Sequence, residues 1–190
     1  CNQVVVLNHD EAAVNMAAKL VDANWCYSGA FSTLLVRFSA GELLRRYTAG
    51  DRNFINANLR GAQLSGLNLA AVNLSWAKLC GANLTQAHLN QADLTHADLS
   101  EADLKGVNLK GASLTRANLA AADLRQADLK GGDLSKANLS GSNLSQADLR
   151  EANLWLADLR GADLNETDLR GANLREAQLI EADLARAITF

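Results

Sequence analysis

Leucine recurs at every fifth position from Leu59 to Leu184, twenty-six times without a substitution. A period of five suits no ordinary element. Five residues advance an α-helix by about 500°, so each leucine would stand about 140° round from the last and no apolar stripe would form. On a strand, an odd period throws successive leucines onto opposite faces. The pattern therefore predicts a chain that bends once per five residues and returns each leucine to a common axis, as a coiled solenoid does.

The neighbours of each leucine sharpen this reading. Two residues earlier stands alanine in twenty of the twenty-six units; Leu67, Val72, Val107, Gly132, Ser142 and Thr167 are the exceptions. Small residues there fit a crowded interior corner. One residue earlier stands Asp or Asn in twenty-one units, with Gln63, Lys78, His88, Ser113 and Gln178 departing. Asp and Asn suit turns, where their side chains hydrogen-bond nearby backbone. The two residues after each leucine are mainly polar or Gly, so each unit reads as two positions inward and three outward.

These units resemble the pentapeptide-repeat family, whose A(D/N)LXX pattern is reproduced in Ala92-Asp93-Leu94, Ala102-Asp103-Leu104 and Ala162-Asp163-Leu164. The resemblance spans roughly residues 52 to 187. It implies an all-β solenoid, a right-handed quadrilateral β-helix with four repeats to a coil and the leucine at each face centre. Phe54 starts the phase five residues before Leu59. About twenty-seven repeats would then make about seven coils, a rod roughly 30–35 Å tall at ~4.8 Å per coil.

Terminal coils of such a rod expose leucines and unpaired backbone, so caps are expected. Ser39 with Glu42 forms a capping box, and a helix is predicted over about 41–48, laying Leu43, Leu44 and Tyr47 over the first coil. Gly50 offers a left-handed stop. The expected organisation is a segment over 1–50 that carries this capping helix, followed by the β-helix over 51–190. Within the first segment, a second helix over about 10–21 and short strands over 4–7 and 31–38 are conceivable. At the carboxyl side the pattern frays, and Leu179, Leu184 and Ile188 are expected to form an open apolar end at which two copies associate.

Composition narrows the chemistry. Proline is absent, which fits a stack whose backbone N–H groups mostly donate to the next coil. The net charge is −3, so neither nucleic-acid binding nor strong steering is expected. Cys1, Cys26 and Cys80 make no disulfide or metal pattern. No run reaches the length of a membrane span. The cytoplasm is expected ahead of the periplasm or a thylakoid lumen.

With four repeats per coil, residues twenty apart stack in columns, and the surface becomes legible. Lys110, Lys130, Arg150 and Arg170 form a basic column beside Asn108, Asp128, Asp148 and Asp168, a self-neutralising face. Another face runs Ser75, Thr95, Thr115, Ser135 and then Trp155 and Arg175. Trp155 and Leu156 occupy consecutive outward positions, Arg175 is expected to stack under Trp155, and Ile180 lies on the adjoining face; these four are the candidate protein-binding residues. Trp76 shares Leu156's column but lies four coils away. His9, His88 and His96 are scattered, and Asp residues on a wet convex surface lack the burial that acid–base chemistry uses. No catalytic, cofactor or metal residues are expected.

The residues thus predict a non-catalytic scaffold that presents rigid flat faces to another protein. The resemblance implies two alternatives: a DNA mimic acting on a type II topoisomerase such as gyrase, or a structural protein of a lumen or periplasm.

Overall fold

In the computed structural model the described residues are 39–182 and 184–189. The elements expected at 4–7, 10–21 and 31–38 lie outside them, as do His9, Cys1 and Cys26.

The single helix among the described residues, α1 (Ala40–Thr48), begins where the capping signal stands. The Glu42 N–H donates to Ser39 Oγ at 3.1 Å, the first half of the expected box. The Glu42 carboxylate turns instead to Arg45, accepting from its Nε and Nη2 at 2.9 and 2.8 Å. A guanidinium three residues on outcompetes a single backbone N–H for a carboxylate, because both partners are charged. Leu43 is fully buried against the first repeats, and the Tyr47 hydroxyl donates to the Ala70 carbonyl at 2.8 Å. Gly50, at φ 97°, ends the helix, and its N–H donates to Tyr47 O at 3.0 Å.

From Asn53 onward the chain pairs with itself in parallel, each residue before a leucine bridging the one twenty further along. Twenty residues therefore complete one coil of four repeats. The ladder through Asn53, Asn73, Asp93, Ser113, Asp133, Asn153 and Asn173 is seven rungs deep. Leucines fill the axis and the residues two before them line the corners, all essentially fully buried from Leu69 to Leu164. Where a corner residue is polar it bonds to backbone: Ser142 Oγ donates to Leu139 O at 2.7 Å and Thr167 Oγ1 to Leu144 O at 2.8 Å. The Asp or Asn position is half-buried in most repeats rather than fully outward, with Asn53, Asn68, Asp103 and Asn173 exposed.

One repeat shows how the backbone is satisfied. The Asp93 N–H donates to Val72 O in the coil before, and Leu94 N–H to Ser113 O in the coil after. His96 N–H donates to Thr115 O, and Ala97 N–H closes the turn on Leu94 O. The remaining donor, Thr95 N–H, is taken by Asp93 Oδ1 at 2.9 Å. The same side-chain bond recurs at Ser75, Lys105, Arg125, Ser145 and Arg170, each to the Asp or Asn two residues earlier. Thus the Asp/Asn column acts as the fifth acceptor of the repeat.

The turn imposes a condition that hydropathy does not reveal. In each four-residue turn, such as Phe54 to Ala57, the second central residue has positive φ, as a type II turn requires. This holds at all twenty-six positions from Asn56 to Glu181, and seventeen of them are not glycine. An L-residue in the left-handed region costs roughly 1–2 kcal/mol, so the stack must hold these turns against their own preference.

Leu119 is completely buried mid-stack whereas Leu184 is 41% exposed. Leu119→Ala should lower stability by ~2–5 kcal/mol through the cavity it leaves, and Leu184→Ala by much less. Urea unfolding of the two variants measures the difference, and equal losses would contradict the observed burial.

Candidate functional site

Two of the four candidate binding residues are consecutive turn residues. Trp155 and Leu156 are each 37% exposed, and Leu156 sits at φ 58°. Ile180 is 68% exposed, around the corner and one coil on. Arg175 is not the cation on Trp155. That place belongs to Lys136, whose Nζ lies 4.7 Å from the ring centroid. The indole leans out of its own column across the turn column, between Lys136 of the preceding coil and Glu176 of the following one. The indole N–H donates to Glu176 Oε1 at 3.4 Å. Arg175 donates its backbone N–H to Asn173 Oδ1 and accepts the Leu156 N–H on its carbonyl.

A second aromatic contact was not foreseen. Trp76 stacks on His96, with ring centroids 4.0 Å apart and planes 12° from parallel. The signal was present in the sequence, since the two residues stand twenty apart in one column, but pairing them required side-chain directions. Trp76 is 52% exposed and, like His96, adopts positive φ.

The charged columns neutralise one another as the sequence suggested. Arg150 pairs with Asp148 at 2.5 Å and approaches Asp168 at 3.6 Å, Arg170 pairs with Asp168 at 2.5 Å, and Lys130 reaches Glu151 at 3.3 Å. Hydrogen bonds from Arg170 hold the Asp168 carboxyl down at about 2. Asp123, Asp148 and Asp158 are lowered in the same way by Arg125, Arg150 and Arg160. Carboxylates held ionised by guanidinium partners are poor proton carriers near neutrality.

The hydroxyls of the Ser/Thr column are likewise spoken for. Ser75 Oγ donates to Asn73 Oδ1 at 2.8 Å, and Thr115 Oγ1 to Asp133 Oδ2 at 3.1 Å. Among the described residues no group of His, Cys, Asp or Glu is arranged to hold a metal ion. Cys80 is a free, half-exposed thiol. A shallow depression lined by Gly171, Ala172, Asn173, Leu174 and Arg175 lies at the last coils. Leu179 is half-buried there, and Leu184 and Ile188 are 41% and 46% exposed.

A family model for pentapeptide repeats matches residues 53–86, 81–116, 117–155 and 156–188. The chain belongs to the pentapeptide-repeat family. That family's fold is the right-handed quadrilateral β-helix, and the coil of four repeats described above is its unit. Among solved structures, this pentapeptide-repeat chain is similar to HetL, involved in heterocyst differentiation regulation in the cyanobacterium Nostoc sp. strain PCC 7120. The two are 28% identical over 80% of this chain and 97% of HetL, with a TM-score of 0.43. A pentapeptide repeat protein of the Arabidopsis thaliana thylakoid lumen is 32% identical over 62% of this chain and 72% of its own, with a TM-score of 0.37. QnrB1, a plasmid-mediated fluoroquinolone resistance protein, is 21% identical over 70% and 86%, also at 0.37. No curated protein matches. No enzyme family is indicated, and no helix among the described residues is long and apolar enough to cross a membrane.

The depressed carboxylates set the response of this pentapeptide-repeat stack to acid. A folded pKa below the unfolded value of ~3.9 contributes stability above that value, and the contribution disappears as pH falls through the folded value. Stability should therefore drop between pH ~4 and about 2 as Asp168 and its paired neighbours protonate. Urea midpoints across that window should fall less steeply for Asp168→Asn, and identical slopes would contradict the assignment.

Proposed function

We propose that this chain is a non-catalytic scaffold whose rigid, flat-sided β-helix docks another protein. The observation that carries the reading is the exposed pair Trp155 and Leu156 on a fully hydrogen-bonded coil. Trp is the residue most enriched where binding energy concentrates, and a rigid backbone loses little entropy when its partner binds. Arg175 and Ile180 complete the proposed anchor. In this reading the molecule comprises a capping segment over 1–50, in which α1 closes the first coil with Leu43 and Tyr47, and a β-helix over 51–190. Affinity capture from the source cells should retain a partner with the wild-type chain and lose most of it with Trp155→Ala. Equal capture by both would overturn the anchor.

The DNA-mimic reading has the rod shape in its favour and charge against it. From Asp51 onward the chain holds seventeen acidic and fourteen basic residues, a net of −3. Duplex DNA of ~30 Å carries about 18 negative charges, at one per ~1.7 Å. Arginines paired with the Asp columns would also repel a basic DNA channel. Purified protein in excess should leave gyrase supercoiling unchanged at moderate salt, and inhibition at low micromolar concentration would favour the mimic instead.

We further propose that Leu179, Leu184 and Ile188 form an end-on contact between two copies. Light scattering should show a dimer at high concentration that Leu184→Lys weakens; a monomer throughout would remove the proposal.

A further inference from the structure

We draw no further inference here: the strongest candidate, the turn edge of the β-helix on which Ile55, Trp76, Trp155 and Leu156 stand exposed, is an unpartnered aromatic and apolar strip, and nothing in the structure shows what covers it.

Discussion

Each repeat brings five backbone N–H donors into a stack that, among the described residues, has no strand longer than a single bridge, and each buried donor needs an acceptor. Two donate across the coils at the bridge, one donates across at the turn, and one closes the turn itself. The fifth has only a side chain to turn to, and in most repeats the Asp or Asn beside the leucine supplies it. That single local bond explains the most regular polar feature of the sequence. Four of the five positions in the repeat donate to backbone carbonyls, which leaves proline little room there. Asn58 Oδ1, buried without a hydrogen-bond partner near the first coil, marks where the regular accounting begins to fray.

The same arrangement fixes what the surface can be. Because backbone donors are consumed internally, recognition must come from side chains at the two turn positions. Their spacing is set by the coil, so like residues stack into columns and charges must be managed in registers of twenty. On one face the solution is Arg–Asp pairing within each repeat, as at Arg150 and Arg170. The edge bearing Arg116 and Lys136 carries aromatic contacts instead, Trp76 on His96 and Lys136 on the Trp155 ring. The contrast is between a face of paired charges and an edge of aromatic contacts.

Much of this was legible before any coordinates. The leucine period, the small corner residues and the turn-forming Asp and Asn are properties of one repeat, and one repeat is short enough to read. The exposed Trp155 and Leu156 were visible for the same reason, standing where the repeat otherwise places polar residues. What could not be read was direction. Trp155 leans onto Lys136 rather than down its column to Arg175, and Trp76 lies flat on His96, because an indole can reach across one coil and a column drawn on paper cannot say which way. The Glu42 carboxylate chose Arg45 over the helix N-terminus for a similar reason: two legitimate partners, decided by charge at close range.

The sequence by itself determined the solenoid, its coil of four repeats through the family it resembles, and the identity of core and surface positions, because a strict five-residue period admits no other burial pattern. The tertiary structure alone decided that the second turn position is left-handed in every repeat, since φ depends on how the next coil accepts the chain and not on the residue that must adopt it. It also decided which cations are paired, because a guanidinium can turn to the Asp two residues earlier, as Arg150 does to Asp148, or reach across coils, as Arg186 does to Glu166. Trp76 and His96 are twenty residues apart in the sequence and become a stacked pair only when the coils are stacked.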